Sequence, residues 1–124
     1  MAKWAELELE FGTAAAVCAR SGLPRSAAGR AYYALFAAIT DELARRGVSM
    51  AHRTNPAHRD LVRHIRADLG LAQGHARRLT ALARNLYDRR LDADYNGPYA
   101  VDDRTARESL RDMAEARRLL RRLG

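Results

Sequence analysis

The sequence predicts an all-α fold, a single-domain bundle of about five helices that spans residues 1–124. Alanine occurs 25 times and arginine 21 times, and both residues favour helices. Aromatic residues make up only 6% of the chain, and β-branched residues are also sparse, which excludes an all-β domain. Apolar residues recur at helical spacing along most of the chain. A length of 124 residues is typical of one domain.

The first two helices are predicted from apolar stripes and from the residues that end them. Helix 1 is predicted over residues 4–20, because Gly22 can cap its end and Pro24 cannot continue it. Helix 2 is predicted over residues 25–46, with Gly47 at its end. Its stripe is apolar and is widened by two further aromatic residues: Ala28, Tyr32, Leu35, Ile39 and Leu43, with Tyr33 and Phe36.

Helix 3 is predicted to be short and to start at a proline. Asn55 is the expected N-cap, and Pro56 is the expected first helical residue. The inward face is apolar: Leu61, Val62, Ile65 and Leu69. His58 is expected on this face, and His64 is expected beside it.

Two more helices follow, separated by a turn. Helix 4 is predicted over residues 73–92, and the stretch 94–99 is predicted to be a loop because Asn-Gly and Pro oppose a helix. Asp102 or Asp103 is expected to cap helix 5, which is predicted to end near Leu123. Short connections favour antiparallel neighbours in one bundle.

The net charge of +7 is concentrated in part of the chain. Residues 51–91 hold nine arginines and three aspartates, whereas residues 92–103 hold four aspartates and no basic residue. Clustered arginine suits a polyanionic partner. The same arginines are also compatible with a purely solvating helix surface.

Several classes of site are not predicted. The histidines never fall three or four residues apart, so no metal site is expected, and no glycine-rich phosphate loop is present. Cys18 is expected to be a core thiol. No cofactor is implied by any motif. The start lacks the apolar stretch of a signal peptide, and no run is long enough to span a bilayer, so we expect a cytoplasmic protein.

Two segments combine aromatic rings with charge. Tyr32, Tyr33 and Phe36 place large rings on an alanine-rich helix. Near the end of helix 4, basic and acidic residues alternate closely: Arg89, Arg90, Asp92, Asp94 and the adjacent Tyr95. An aspartate beside an arginine orients the guanidinium, and an oriented guanidinium suits a phosphate. Part of this pattern also fits ordinary capping of a helix C-terminus by arginine.

At these residues the chain resembles the HEPN family of small prokaryotic helical-bundle proteins. The resemblance covers roughly residues 4–122 and is strongest to a branch with two motifs in this order. The first motif is matched by Ser26, Arg30, Ala31, Tyr32, Tyr33, Ala34 and Phe36, and the second by Arg90, Ala93, Asp94 and Tyr95. His58 lies where such proteins often carry a histidine.

The resemblance implies an up-down bundle, a homodimer and a link to RNA. Active family members are metal-independent ribonucleases, several of them toxins paired with a nucleotidyltransferase antitoxin. Their motif is an arginine followed, after four to six residues, by a histidine. Here the corresponding positions hold Arg89, counted from Arg84, and Asp94, counted from Arg89, and no histidine follows His75.

The leading hypothesis is an RNA-associated protein of a toxin–antitoxin or defence module. Arg90, Asp94 and His58 are its candidate catalytic residues, the histidine as base and the arginine as phosphate ligand. Arg84, Arg89 and Tyr95 are the candidate RNA-binding residues. Whether Asp94 titrates near neutrality, whether His58 is catalytic or structural, and whether Tyr95 is modified by a partner stay open in the sequence.

Two alternatives remain. In the first, the chain is a non-catalytic binding module that pairs with a nucleotidyltransferase or another protein, since the motif histidine is missing. In the second, it binds a nucleotide or single-stranded nucleic acid, with Tyr32 or Tyr95 stacked on a base.

Overall fold

A computed structural model describes residues 3–52, 54–95 and 101–123. Over these ranges the chain is an all-α bundle with no strand. It contains five α-helices and one 3₁₀ turn: α1 Trp4–Arg20, α2 Pro24–Arg45, the 3₁₀ turn His58–Asp60, α3 Leu61–Ala67, α4 Gln73–Tyr95 and α5 Asp103–Arg121. The all-α prediction and the five helices are confirmed. The predicted turn at residues 96–99 lies outside the described residues.

Helix α2 is the centre of the bundle and packs against the other four helices. More than half of its 22 residues are buried. Because many of them are alanines, neighbouring backbones can approach closely, and buried Ala15 of α1 lies in the same core cluster. The large fully buried aliphatic side chains come from α2, the α3 segment and α4 and include Leu35, Ile39, Ile65, Leu79, Leu82 and Leu86. All seven residues of the predicted α2 stripe belong to this core or pack against it.

The helix ends follow the local sequence signals closely. Gly22 and Gly47 adopt φ values of +73° and +68°, which let the chain leave α1 and α2 without the steric penalty of a side chain. Pro24 is the first residue of α2 rather than only a stop after α1, because its fixed φ suits a first helical position. Asp102 caps α5 and accepts a 3.0 Å hydrogen bond from the Thr105 amide.

The start of helix 3 differs from the prediction. Pro56 does not begin an α-helix; the chain first forms the 3₁₀ turn at 58–60. The Asn55 side-chain amide donates to the Pro56 carbonyl at 3.2 Å instead of capping a helix. The expected histidine positions are also exchanged: His64 is only 1% exposed, whereas His58 lies at the surface.

The end of helix 4 also differs, since α4 continues through Tyr95 rather than stopping at Asp92. Asp94 and Tyr95 are therefore helical and do not belong to a loop. Arg25 of α2 explains part of the extension, because it donates to the carbonyls of Asp92 and Ala93 at 3.3 and 2.8 Å. Helix ends leave backbone carbonyls without partners inside the helix, and side-chain donors such as Arg25 bond to them.

Candidate functional site

Five rings gather where α2, the 3₁₀ turn and α4 meet; we call them the aromatic cluster. Tyr32 lies at its centre, with ring-centroid distances of 5.3 Å to Tyr87, 5.4 Å to Tyr33, 5.6 Å to His58 and 6.3 Å to Phe36. Most of these pairs are tilted or edge-on, as the ring quadrupoles favour. Tyr32 is fully buried. The cluster therefore forms a packed wall with one open side.

Arg90 lies on the open side of the aromatic cluster. The central carbon of its guanidinium is 5.3 Å from the Tyr33 ring, 5.9 Å from the Tyr32 ring and 5.9 Å from the Tyr95 ring. Its Nε donates to Asp94 Oδ2 at 3.1 Å, one helical turn further along α4. The Arg90 side chain is 14% exposed. Cation–π contacts and one carboxylate thus hold the guanidinium in a single orientation.

His58 and Tyr32 share a hydrogen bond of 2.6 Å between the imidazole Nδ1 and the phenol oxygen. The Tyr32 hydroxyl is buried and has no other acceptor among the described residues, so we infer that it donates its proton to Nδ1. Neutral His58 then carries its own proton on Nε2. Burial, followed by the nearby Tyr87, raises the pKa of Tyr32, which keeps this hydroxyl a donor at neutral pH.

His58 is held in its neutral form by its surroundings. The face of its ring packs on Phe36, with centroids 4.6 Å apart. This partial burial lowers the pKa of His58 below 6.5, and the positive charges of Arg90 and His52 lower it further. A neutral imidazole with a proton on Nε2 donates a hydrogen bond through that atom.

Two clefts open on either side of the aromatic cluster. The α3–α4 cleft, of about 190 Å³, has largely apolar walls that include Tyr32, Leu61 and Tyr87, with Arg59 and Arg84 among its lining residues. The α2–α4 cleft, of about 260 Å³, is more polar and is lined by Arg25, Ser26, Gly29, Arg30, Tyr33 and Asp94. Residues of both motifs thus line adjoining cavities.

The structure brings most of the predicted site residues together. Arg90, Asp94 and Tyr95 are in contact on α4, and His58 joins them through Tyr32. Arg84 is exposed and lies in the wall of the α3–α4 cleft. The Tyr95 side chain is 70% exposed. Its ring centroid lies 5.9 Å from the guanidinium carbon of Arg90, although the two residues are five positions apart on α4.

Arg89 is the predicted RNA-binding residue that the structure separates from the others. Its guanidinium bonds to Asp112 of α5 at 2.8 Å and lies 3.5 Å from Glu108. Asp112 is buried, and the Arg89 side chain is only 17% exposed. Arg89 therefore links α4 to α5, away from the aromatic cluster.

Three arginines near the site were not among the predicted site residues, although Arg30 was part of the first motif. Arg59 reaches the α3–α4 cleft, and Arg25 and Arg30 reach the α2–α4 cleft. Arg25 and Arg30 lie on the first turns of α2 and line the same cleft, but they are five residues apart, so their spacing alone did not place them on one face. Arg59 gave no signal either, because its position depends on the 3₁₀ turn.

Two other site classes find no support in the described residues. Within residues 3–52, 54–95 and 101–123, no three histidine, cysteine or carboxylate side chains form a group suited to a metal ion. Across the same ranges, no helix has the length and apolar character needed to cross a membrane.

The protein is an all-α bundle in which one arginine, Arg90, is held against a wall of aromatic rings. Comparison with known protein families finds no family model that matches the chain, and comparison with curated proteins finds no significant match. The functional argument therefore depends on the chemistry of the site and on the motif resemblance.

The lowered pKa of His58 predicts a pH dependence of stability. The unfolded chain binds a proton at His58 more readily than the folded chain does, so His58 stabilises the fold above its usual pKa of 6.5, and this contribution is lost as the pH falls. We expect the melting temperature to drop more between pH 7 and pH 5 in the natural protein than in His58→Gln. Thermal denaturation followed by circular dichroism measures both; equal drops would contradict the lowered pKa.

Proposed function

We propose that this protein is a HEPN-like, RNA-associated member of a prokaryotic toxin–antitoxin or defence module, and that Arg90 binds an RNA phosphate. The observation that supports this most strongly is the position of Arg90: a guanidinium oriented by one carboxylate and backed by three aromatic rings. An arginine held in this way is prepared to form charge-assisted hydrogen bonds to a phosphate.

Asp94 already accepts a hydrogen bond from the Arg90 guanidinium and therefore competes with a phosphate for it. It accepts from the Nε of Arg90, and its own side chain is 42% exposed. Among the described residues Asp94 is the hydrogen-bond partner of the Arg90 side chain, and in this proposal the two terminal nitrogens donate to the phosphate. An incoming phosphate repels the Asp94 carboxylate, which can turn towards water because it is exposed. Asp94 thus tunes the affinity of Arg90 for anions.

The hydrogen bond to Tyr32 determines which role His58 can play towards RNA. With its proton on Nε2, it donates to a phosphate oxygen or a base acceptor in the α3–α4 cleft. Acting as a general base on a 2′-hydroxyl requires a free Nε2. That state needs the proton to move to Nδ1, which would leave the buried Tyr32 hydroxyl without an acceptor. The geometry therefore favours binding by His58 over proton abstraction.

A second candidate is a non-catalytic binding module that pairs with a nucleotidyltransferase or another protein. The specific observation in its favour is that Asp94 stands at the motif position of the family's histidine and is engaged with Arg90. In this reading, the protein is a homodimer that has kept the binding surface of the family and lost its chemistry. RNA binding without cleavage is the expected behaviour of such a module.

Replacing Arg90 with alanine tests the proposal. We expect Arg90→Ala to weaken binding of a fluorescein-labelled, 20-nucleotide single-stranded RNA by about 2 kcal/mol, roughly 30-fold, because a charge-assisted hydrogen bond is lost. Fluorescence anisotropy with EDTA present measures the affinity. Incubation of the same samples, followed by gel electrophoresis, measures cleavage.

Two variants control this experiment. Arg104→Ala removes the same charge from α5, where the side chain is 78% exposed, and should bind RNA almost as the natural protein does. Asp94→Asn removes the competitor and should bind more tightly. Cleavage that disappears in Arg90→Ala supports a nuclease, and binding without cleavage supports the binding module. Absence of RNA binding, or an Arg90→Ala variant equal to Arg104→Ala, would overturn the proposal.

A further inference from the structure

A second cleft is lined by residues of the same two parts of the chain, the α3 segment and α4. This distal cleft, of about 400 Å³, is lined by Arg66, Leu71, Gln73, Ala76 and Arg77. Like the α3–α4 cleft, it lies between the α3 segment and α4. We call the two clefts together the arginine groove.

The four arginines of this groove form two pairs, one lining each cleft. Arg59 and Arg84 line the cleft beside the aromatic cluster, and Arg66 and Arg77 line the distal cleft. Because α3 and α4 run antiparallel, a step of seven residues forward from Arg59 matches a step of seven residues back from Arg84. Seven residues are two turns of an α-helix, so Arg77 and Arg84 are separated by roughly 10 Å along α4 and share one of its faces.

None of these four arginines forms an ion pair with another described residue, and all four are exposed. Their neighbours behave differently. Arg78, next to Arg77, bonds to Glu115, and Arg63 lies 3.7 Å from Asp60. The carboxylate that lines the groove is that of Asp88, so the groove keeps a clear excess of positive charge.

We propose that the arginine groove binds the backbone of single-stranded RNA and leads it to Arg90. This inference rests on the proposed function and names the substrate class of that site. Two pairs of guanidinium groups, about two turns of α4 apart, match a polymer that carries a charge at every residue. An isolated anion would need only one of the pairs.

The end of the groove determines which form of nucleic acid fits. There the walls are Tyr32, Tyr87, Leu61 and Val62, with Arg59 and Arg84 beside them. A flat base can enter such a cavity only when it is unpaired, and stacking on aromatic side chains is a general mode of binding for single strands. Tyr32 also contacts Arg90, so a strand whose base occupies this cavity brings an adjacent phosphate towards Arg90.

The double variant Arg66→Gln/Arg77→Gln tests the distal half of the groove. Binding of the labelled single-stranded RNA is measured by anisotropy from 50 to 300 mM salt. Loss of two phosphate contacts should make the slope of log affinity against log salt less steep by about 1.4 and should weaken binding roughly tenfold at 0.15 M salt. The control, Arg107→Gln/Arg122→Gln, removes two exposed arginines from the α5 end of the chain and should change both quantities little.

The outcomes separate this inference from the proposed function. If Arg90→Ala weakens binding but the groove variant equals its control, the groove inference is wrong and the function stands. If the groove variant weakens binding but Arg90→Ala does not, the groove binds RNA without leading it to Arg90, and both the proposed role of Arg90 and that part of the inference are wrong. Equal affinity for a duplex of the same sequence would overturn the assignment to single strands. The assignment to RNA would also be overturned if a polyaspartate peptide bound equally well and lost the same affinity in the groove variant. Circular dichroism confirms that each variant is folded.

Discussion

Tyr32→Ala is expected to lower the free energy of unfolding by about 3–5 kcal/mol, the range of large-to-alanine changes at buried aromatic sites. Tyr32 is fully buried and contacts four other rings of the aromatic cluster. Removing it opens a cavity between α2 and α4 and also removes the donor to His58. Urea denaturation followed by circular dichroism gives the change from the midpoint and the slope.

Tyr32→Phe is the matched control, because it keeps the ring and removes only the hydroxyl. It should cost about 1 kcal/mol, the typical net value of one hydrogen bond. In this variant Nδ1 of His58 loses its donor, so the imidazole can exchange its proton between the two nitrogens. A loss below 1.5 kcal/mol in Tyr32→Ala would show that the cluster does not support the core.

Asp112→Ala is expected to destabilise the fold by about 3 kcal/mol, near the lower end of the cost of breaking a buried ion pair. The variant leaves Arg89, whose side chain is 17% exposed, with Glu108 at 3.5 Å as its remaining partner. Chemical denaturation provides the measurement. We expect the lower end of that range because Glu108 and solvent at the exposed part of Arg89 compensate in part for the lost carboxylate.

Two comparisons separate this effect from a general loss of charge. Glu115→Ala breaks the exposed pair with Arg78, whose side chain is 51% exposed, and should cost less than about 1 kcal/mol. The double change Arg89→Met/Asp112→Leu should recover much of the stability, since apolar residues can replace a buried pair. Equal costs for Asp112→Ala and Glu115→Ala would contradict the buried linkage. RNA affinity should not change in the double variant, because Arg89 lies outside the proposed site.

Neighbouring residues show where sequence reasoning reaches its limit. Arg89 and Arg90 are adjacent in the same motif, and the sequence analysis assigned both to one site. On a helix they point about 100° apart, so one meets the rings of α2 and the other meets Asp112 of α5. The direction of each depends on how α4 is rotated against its neighbours. Local sequence does not encode that rotation by itself.

The two histidines of the α3 segment and the end of α4 are further examples. His58 and His64 exchanged their expected positions because a 3₁₀ turn, which winds more tightly than an α-helix, precedes α3. Helix α4 continues to Tyr95, and Arg25, which is distant in sequence, donates to the carbonyls of Asp92 and Ala93 near its end. Both outcomes need contacts between elements that are far apart along the chain.

The sequence by itself determined the helical class, the bounds of α1, the buried stripe of α2 and the cap of α5, because periodicity, glycine, proline and capping residues act over a few positions. Only the tertiary structure decided which arginines are free and which are engaged. It seated Arg90 on the aromatic cluster, engaged Arg89 with α5 and aligned two arginine pairs along α3 and α4. Such contacts depend on the packing of helices, and packing is a property of the whole bundle.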